Sequence, residues 1–325
     1  MTIRMSFTVE KKNEPPQVII HKPALPVSKI SNLHMFKQIE KGTRCNEQEL
    51  NRRKKVEEIL QELDSLVGLH TIKKLVLEIQ AYLEIQKKRE KENLKNNPVV
   101  LHMIFKGNPG TGKTTVARIV GRLFKEMGIL EKGHVIEVER ADLVGEYIGH
   151  TAHKTREQIK RALGGVLFVD EAYSLARGGE KDFGKESIDT LVKNMEEHKD
   201  NLILILAGYK QEMCWFLETN PGLRSRFPIQ VDFPDYTIAE LQEIAELMLS
   251  QRQYCFNEEA RLEMESLFLE ILHKSREYSG NARLVRNIIE KSIRQQAMRL
   301  VEQDQVSRND LLTITRNDIL LASQN

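Results

Sequence analysis

The sequence feature that most constrains the fold is a glycine-rich stretch at residues 105–119, FKGNPGTGKTTVARI. It places three glycines, a proline, two lysines and three threonines, two of them adjacent, between an apolar run and a helical pattern. Glycines let successive backbone N–H groups curve around an anion, and the N-terminus of the following helix adds a partial positive charge. The stretch fits GxxxxGKS/T between a predicted strand and a predicted helix, which is the setting that a phosphate-binding loop requires.

This motif predicts a site for ATP and Mg²⁺. Lys113 is expected to reach the β- and γ-phosphates, and the Thr114 hydroxyl is expected to coordinate Mg²⁺. The predicted nucleotide-binding residues of the loop are Gly107, Asn108, Pro109, Gly110, Thr111, Gly112, Lys113, Thr114 and Thr115. A purely structural glycine turn is the alternative, which the completeness of the motif and its setting disfavour.

A pair of acids supplies the second half of the predicted site. Asp170 and Glu171 follow the apolar residues 166–169 directly, and they lie about sixty residues beyond the loop. Asp170 is expected to hold Mg²⁺ and Glu171 to orient or deprotonate the attacking water. We expect this pair at the end of a strand neighbouring the strand that leads into the loop. The combination predicts hydrolysis and not mere nucleotide storage.

Short apolar runs alternate with helical segments over residues 99–233. The predicted strands are residues 99–105, 134–139, 165–170, 202–208 and 228–233. Several runs are almost continuously apolar, which is typical of strands buried on both faces, so the alternation predicts a parallel sheet sandwiched by helices. After Pro234 the pattern is all helix, beginning with a capping box of Thr237 and Glu240. The predicted fold is therefore an α/β P-loop NTPase sheet followed by a C-terminal helical domain.

Three segments are predicted along the chain. Residues 1–45 contain four prolines and no sustained periodicity, so we expect a poorly ordered N-terminal arm. Residues 46–235 form the α/β domain, which begins with two helices separated by Gly68. Residues 236–325 form the helical domain.

Composition excludes several classes of protein. The 325 residues carry 49 basic and 47 acidic side chains, a net charge of +2, which argues against a protein that binds nucleic acid by charge alone. Three widely spaced cysteines offer no disulfide framework, as is typical of a reducing cytoplasm. No stretch approaches 18 apolar residues, so neither export nor membrane insertion is expected. We expect a cytoplasmic protein.

Seven motifs in a fixed order resemble the AAA+ ATPases, and more closely their CbxX/CfxQ group. They are LDSLVGLHTIKKLV, KGNPGTGKTTVAR, LVGEYIGHTAHKT, VLFVDEAYSL, LAGYKQEM, GLRSRFP and YSGNARLVRN. The resemblance covers roughly residues 50–320. It implies that the helical domain is a lid, that the chain assembles with itself into a ring of six copies, and that it works in endospore formation.

The resemblance also assigns residues to the nucleotide. Val67, Gly68 and Leu69 are implied to line the adenine pocket, although a helix C-cap with an apolar anchor would give the same pattern. Arg283, in GNAR, matches the lid arginine that senses the γ-phosphate, and Arg286 one turn later is a second candidate.

In GLRSRF, the family pattern makes Arg226 the arginine finger that acts on the next subunit, with Arg224 as the rival. A surface salt bridge is the alternative role for Arg226. One segment departs from the commoner AAA+ pattern, because Ala207-Gly208-Tyr209 stands where many members have Asn, Thr or Ser. Tyr209 is only a weak candidate for that role.

A further motif predicts where the protein contacts its client. Tyr147, Ile148 and Gly149 match the aromatic-hydrophobic-glycine pore loop of AAA+ remodellers, which would grip an extended protein client through apolar contacts. Packing of Tyr147 into the core is the alternative. A nucleic-acid motor is the second functional hypothesis, and a nucleotide-gated scaffold without useful turnover the third. Nucleic acid is not expected as a partner, because Glu146 and a few scattered cations do not form a phosphate track.

Overall fold

A five-stranded parallel sheet forms the centre of the molecule. The computed structural model describes residues 47–95, 100–147, 149–178, 183–274 and 280–324, and the predicted arm over residues 1–45 lies outside them. The strands are β1 (Met103–Gly107), β2 (Val135–Val138), β3 (Val166–Val169), β4 (Ile203–Gly208) and β5 (Ile229–Phe233). They lie in the order β2-β3-β4-β1-β5, and every neighbouring pair is parallel.

Helices cover both faces of this sheet. Those of the α/β part are α1 (Glu47–Ser65), α2 (His70–Lys91), α3 (Lys113–Glu126), α4 (Arg140–Leu143), α5 (His150–Ala162), α6 (Gly184–Glu197), α7 (Lys210–Thr219) and α8 (Pro221–Arg226). A 3₁₀ helix (Ala172–Ala176) follows β3. The predicted fold class of a helix-covered parallel sheet is confirmed by this order and topology.

The strand order corrects one expectation. Asp170 was expected on a strand next to the strand that leads into the glycine-rich loop, but β4 lies between β1 and β3. Spacing along the chain cannot order the strands, because β2 and β3 both precede β4 in sequence while only β4 and β5 pair with β1. The acidic end of β3 is therefore two strands away from the loop.

The sheet separates two apolar cores. Side chains on β1 alternate between them: Met103 and Phe105 pack with α2 and α3 on one face, and Ile104 packs on the other. On that second face lie Leu167 and Val169 of β3 and buried side chains of the 3₁₀ helix, α5 and α6. Phe105, Phe124 and Phe168 are almost fully buried, and burial of one such side chain contributes about 1.5–3 kcal/mol.

The C-terminal part is helical but contains a small parallel strand pair. Its elements are α9 (Ile238–Ser250), β6 (Cys255–Phe256), α10 (Glu258–Lys274), α11 (Asn281–Val301), α12 (Arg308–Leu312), β7 (Thr313–Ile314) and α13 (Arg316–Gln324). The capping box of Thr237 and Glu240 is confirmed at the start of α9. The all-helix prediction misses β6 and β7, because strands of two residues are too short to show alternation.

This part has its own core and belongs to the same compact unit as the sheet, residues 48–325. Its core contains Leu241, Met264, Phe268 and Ile289, together with Val67 from the segment between α1 and α2. The precise boundaries proposed for the two domains, 46–235 and 236–325, stay a prediction. The described chain changes from sheet to helix between the end of β5 and the start of α9.

Candidate nucleotide site

The glycine-rich loop joins β1 to α3 and is held closely by its neighbours. A Cβ atom on Gly107 would lie 2.4 Å from the Phe233 carbonyl oxygen, so only glycine fits beside β5. Gly110 and Gly112 have φ angles of +75° and +93°, in the left-handed region that glycine adopts without steric cost. The loop therefore has the backbone freedom and the closeness of approach that a phosphate cradle needs.

Lys113 begins α3 and points back into this loop. Its Nζ donates hydrogen bonds of 2.8 Å to the carbonyl oxygens of Gly107 and Asn108. Burial lowers the pKa of Lys113, nearby Asp170 opposes that shift, and Arg283 adds to it. No described carboxylate forms an ion pair with Lys113, so this partly desolvated ammonium lacks an anionic partner. Such an environment favours an incoming polyphosphate.

The threonines of the loop have different environments. Thr111 is fully buried, and its hydroxyl donates to the Asn108 carbonyl over 2.8 Å, which stabilises the turn. Thr114 is half-buried in the first turn of α3, whereas Thr115 is exposed. Asn108 and Pro109 are half-buried. Thr114 thus directly follows Lys113 in the sequence and carries an accessible hydroxyl.

Asp170 and Glu171 follow the carboxyl end of β3. The Asp170 N–H donates to the Val138 carbonyl over 2.9 Å, and its carboxylate accepts the Glu171 N–H over 3.0 Å. Glu171 is exposed and has φ +46°, which is uncommon for a residue other than glycine. This left-handed turn stores strain of a kind that clusters at functional sites.

The oxygen donors near the loop suit Mg²⁺. The Thr114 hydroxyl and the Asp170 carboxylate are ligands of the kind that this ion prefers. Within the described ranges, no group of three or more His, Cys, Asp or Glu side chains could hold a metal by itself. One or two protein oxygens fit Mg²⁺, which is bound together with water and the phosphates of a substrate.

The segment between α1 and α2 also reaches the loop. Gly68 and Leu69 have φ angles of +65° and +56°, and Leu69 packs into the core beneath the loop. A Cβ atom on Gly68 would lie 2.5 Å from the Glu240 carboxylate of α9. Val67 lies in the core of the C-terminal part. The three predicted adenine-pocket residues therefore join both parts of the protein next to the loop.

Arg283 approaches the loop from the C-terminal part. A Cβ atom on Gly110 would lie 2.9 Å from the Arg283 backbone nitrogen, and the guanidinium is exposed. Its charge lowers the pKa of Lys113. The structure thus brings Arg283 close to the loop. Lys113 interacts electrostatically with both Arg283 and Asp170. Arg286 is exposed one turn later.

Tyr209 lies beside the acidic turn. Gly208 ends β4, where a Cβ atom would lie 2.7 Å from the Tyr173 ring. The ring of Tyr209 lies 5.9 Å from that of Tyr173, over which Arg177 stacks at 4.5 Å. Burial, reinforced by Glu171, raises the pKa of Tyr173. Because Ala207 carries no polar group, Tyr209 stays only a candidate for positioning water.

Arg226 makes its contacts away from the loop. It ends α8 and forms an ion pair with Glu196 of α6. Arg224 is exposed. The surface salt bridge weighed from sequence is therefore present in the single chain, and a role on a neighbouring subunit stays a prediction.

Tyr147 projects from the surface after β2 and α4. Its side chain is 65% exposed, and its ring contacts His150 edge-on at 5.5 Å. Gly149 has φ +82°, and nothing lies within 4 Å of a Cβ atom placed there. Ile148 lies outside the described residues. Packing of Tyr147 into the core is therefore wrong, whereas the pore role stays a prediction.

Sequence reasoning missed the residues that join the C-terminal part to the loop. The Tyr236 hydroxyl donates to the Thr111 carbonyl over 3.3 Å, and burial raises its pKa to about 12, so it stays a donor at neutral pH. Asp235 binds the Asn108 amide, and Asn281 is fully buried. The only sequence signal was the asparagine after Gly280, a residue type that tolerates left-handed backbone.

Four features together define a P-loop ATPase of the AAA class. They are the parallel sheet, the glycine-rich loop that ends in Lys113, the acidic pair after β3 and the C-terminal helical part. Residues 103–235 match the model of the ATPase family associated with various cellular activities (AAA). Residues 237–325 match the AAA lid domain. The chain belongs to the AAA ATPase family, in the group that includes stage V sporulation protein K and the CfxQ proteins. It is therefore an ATPase, and the predicted family is confirmed.

Similar proteins span nearly the same length. Stage V sporulation protein K of Bacillus subtilis is 55% identical over 83% of this chain and 84% of its own. Protein CfxQ of Xanthobacter flavus is 45% identical over 81% and 84%. The chloroplastic ribulose bisphosphate carboxylase/oxygenase activase of Cyanidioschyzon merolae is 45% identical over 82% and 91%.

Two solved structures share the fold at low identity. A RuvB mutant of Thermotoga maritima has a TM-score of 0.52 at 21% identity, over 81% of this chain and 71% of that chain. The FIGL-1 AAA domain in complex with ADP has a TM-score of 0.52 at 18% identity, over 80% and 82%. No helix in the described part of the chain combines the length and apolar character that a bilayer crossing requires.

Proposed function

We propose that this ATPase is the protomer of a homo-oligomeric ring, a hexamer, that remodels a protein client at its central pore. The observation that carries the proposal is the exposed Tyr147 on a loop of the same domain as the phosphate loop. An aromatic side chain left 65% exposed beside a left-handed glycine is suited to grip another chain.

In this proposal, residues 107–115 bind the phosphates of ATP, and residues 67–69 contact its base. Lys113 leaves the carbonyl oxygens of Gly107 and Asn108 and binds the β- and γ-phosphates instead. The desolvation that lowers the pKa of Lys113 is relieved by that anion. Arg283 approaches the γ-phosphate from the lid, so the position of the lid reflects the nucleotide state.

Thr114 and Asp170 would hold Mg²⁺, which supplies charge neutralisation at the phosphates when it is bound. Glu171 orients the attacking water and accepts its proton. The exposed left-handed turn supports this role, since it presents the carboxylate outward from the end of β3. Charge that develops on the phosphoryl oxygens is then met by Lys113 and by an arginine from the next subunit.

Arg226 is our candidate for that arginine. Its partner in the single chain, Glu196, is itself 58% exposed, so the pair is a surface ion pair that costs little to break. In trans, a planar guanidinium stabilises the transition state by about 4–7 kcal/mol, or about 10³–10⁵ in rate. A protomer alone would therefore hydrolyse ATP slowly.

A protein client is favoured over nucleic acid by the relatives. The activase of Cyanidioschyzon merolae is named for its action on an enzyme, and stage V sporulation protein K is named for sporulation. By that second likeness we propose a cytoplasmic role in endospore formation. The residues flanking Tyr147, Glu146 and His150, do not provide a track of cations.

The test separates binding, hydrolysis and assembly. Lys113→Ala should bind no nucleotide, whereas Glu171→Gln should bind ATP and lose at least 100-fold in turnover. Lys125→Ala, exposed on the same helix, is the matched control and should stay within twofold of the wild type. Equal affinity and turnover in all four proteins would refute the site.

Assembly and client are tested with the slow variant. Glu171→Gln with ATP should have the mass of a hexamer by light scattering, and a monomer at working concentrations would contradict the ring. Crosslinking this variant in cells should retain a protein. Recovery of DNA instead would favour a nucleic-acid motor.

A further inference from the structure

Asn281 has a combination of properties that the proposed catalytic roles do not explain. It is the first residue of α11, it is fully buried, and its φ angle is +47°. Asparagine is among the few residue types that tolerate this backbone region. A buried polar side chain in such a conformation requires hydrogen bonds that repay its desolvation.

The side-chain amide of Asn281 joins three segments. Its Oδ1 accepts the Tyr236 N–H over 2.9 Å, while its Nδ2 donates to Asp235 Oδ1 over 2.7 Å and to the Pro109 carbonyl over 3.3 Å. The orientation of the amide is unambiguous, because a backbone N–H needs an acceptor and a carboxylate and a carbonyl need a donor. One side chain thus links the start of the lid helix, the connection after β5 and the phosphate loop.

Asp235 ties the loop a second time. Its Oδ1 and Oδ2 accept the Asn108 Nδ2 at 3.0 and 2.9 Å. The backbones also meet, since the Ala282 N–H donates to the Gly110 carbonyl over 3.2 Å. A Cβ atom on Gly110 would lie 2.6 Å from the Gly280 carbonyl oxygen, so this close approach leaves no room for a side chain at residue 110.

These contacts meet the resting position of Lys113 at one residue, Asn108. The ammonium of Lys113 binds the carbonyl of Asn108, and the amide of the same Asn108 binds Asp235. When Lys113 turns to a phosphate, the Asn108 peptide loses its cation. Any movement of the Asn108 side chain would act on Asp235 and, through Asp235, on Asn281, which lies two residues before Arg283.

We propose that Asn281 is a positioning residue for ATP hydrolysis, which couples occupancy of the phosphate loop to the placement of Arg283 by the lid. The inference rests on the proposed phosphate-binding role of residues 107–114. Asn281 touches neither phosphate nor water in this scheme. It acts by holding Asp235, Tyr236 and Pro109 in one arrangement.

A purely local role is the competing explanation, in which Asn281 is needed only for its left-handed backbone. The substitution Asn281→Gly separates the two roles. Glycine adopts the same φ angle without strain but lacks the amide, so a backbone role predicts full activity for this variant. Asn281→Ala removes both the amide and the backbone tolerance.

The experiment uses the full chain and measures kcat, KM and the affinity for ADP. Asn281→Gly should lose at least tenfold in kcat while its ADP affinity stays within threefold of the wild type, because the loop is intact and only the lid is released. Asn287→Ala, exposed on the same helix, should match the wild type in both. A wild-type kcat in Asn281→Gly would overturn the proposal.

A double-mutant cycle tests whether Asn281 acts through Arg283. If it does, Asn281→Gly combined with Arg283→Ala should turn over no slower than Arg283→Ala alone. A double variant whose loss in kcat equals the product of the two single losses would overturn the proposal. Should Asn281→Gly fold poorly, Asp235→Ala at an exposed position replaces it, because it removes the carboxylate that accepts from both Asn281 and Asn108.

Failure of the positioning role of Asn281 can be distinguished from failure of the proposed phosphate-binding site. If Lys113→Ala binds ADP as the wild type does, the phosphate loop is assigned wrongly and the coupling falls with it. If Lys113→Ala loses binding while Asn281→Gly keeps its kcat, only the positioning role is refuted.

Discussion

Arg226 donates from Nε to a carboxylate oxygen of Glu196 over 2.5 Å, and its NH1 donates to the Gly222 carbonyl over 2.9 Å. The two contacts hold the guanidinium against α6 and α8 of its own chain. A guanidinium that acts on a neighbouring protomer must leave Glu196. The pair therefore offers a direct way to separate a structural arginine from a catalytic one.

Arg226→Ala should bind ATP with unchanged affinity and lose about 10³-fold or more in turnover, because the charge on the leaving phosphoryl group is no longer met in trans. Arg224→Ala should lose less than threefold. Phosphate release at saturating ATP measures both. Mixing Arg226→Ala with Lys113→Ala protomers should restore part of the turnover at hybrid interfaces, and the absence of rescue would contradict a role in trans.

Glu196→Gln should leave turnover unchanged or raise it, because the ion pair is broken while Arg226 is kept. Glu197→Gln, at an exposed position whose carboxylate pairs with Lys193 one turn away, is the control. Thermal unfolding should change little in either variant, since exposed ion pairs contribute about 0–1 kcal/mol. A large loss of turnover in Glu196→Gln alone would mean that the pair positions Arg226.

Tyr147→Ala should keep basal ATP hydrolysis and lose its stimulation by an unfolded polypeptide, because the grip depends on exposed aromatic surface. Casein serves as the probe, and Tyr147→Phe should retain the stimulation. Tyr82→Ala, which removes an aromatic side chain that is 45% exposed on α2, should behave as the wild type. Stimulation that survives in Tyr147→Ala would exclude this residue from the pore.

The sequence allowed the sheet and its phosphate loop to be predicted because both depend on local patterns. Apolar runs mark the buried strands, and the glycine motif marks the loop. The bounds of β1 were less accurate, since the strand was expected at residues 99–105 and lies at Met103–Gly107. The His102 ring accepts the Leu204 N–H over 3.0 Å. A run of apolar residues gives no indication that a side chain within it accepts a backbone hydrogen bond from another strand.

Residues that act through tertiary contacts could not be predicted in the same way. The sequence places Asn281 only within the motif around Arg283. Its hydrogen bonds could not be predicted, because its partners Asp235 and Pro109 lie far away in the sequence. The left-handed turn at Glu171 likewise has no marker, since no glycine stands there. Strand order also escaped prediction, because it is decided by pairing across the sheet and not by spacing.

Acid should destabilise the protein through His102. Burial of this ring, against which Phe227 packs at 6.0 Å, lowers the pKa of His102 to about 4, and a hydrogen bond with the Met195 backbone only partly opposes the shift. The unfolded chain takes up a proton near pH 6.5 and the folded chain does not until about pH 4. Stability is therefore lost as the pH falls through this window.

At pH 5 the free energy of unfolding is lower by about 2 kcal/mol because of His102. It is measured as the difference between the free energies of unfolding at pH 7 and pH 5. In His102→Asn, whose carbonyl can still accept the Leu204 N–H, that difference should shrink by about the same amount. His153→Asn at an exposed position should keep the wild-type difference, and an unchanged difference in His102→Asn would show that other groups cause it.

The lid should depend on a buried ion pair between α11 and α13. Asp318 is 1% exposed and accepts hydrogen bonds of 3.0 Å from both Nε and NH2 of Arg299. It also accepts the Thr315 N–H and hydroxyl, each over 2.8 Å. The hydrogen bond from Arg299 to Asp318 raises the pKa of the guanidinium, so the arginine stays charged.

Asp318→Ala should therefore destabilise the protein by about 3–5 kcal/mol, because it leaves a partly buried cation and a capping N–H without partners. Arg299→Met with Asp318→Leu should cost less than the sum of the single changes, since no unpaired charge remains. Urea unfolding measures each, with Asp304→Ala on the exposed connection after α11 as the control. If Asp318→Ala unfolds at the wild-type midpoint, the pair contributes nothing and the lid is held by its apolar core alone.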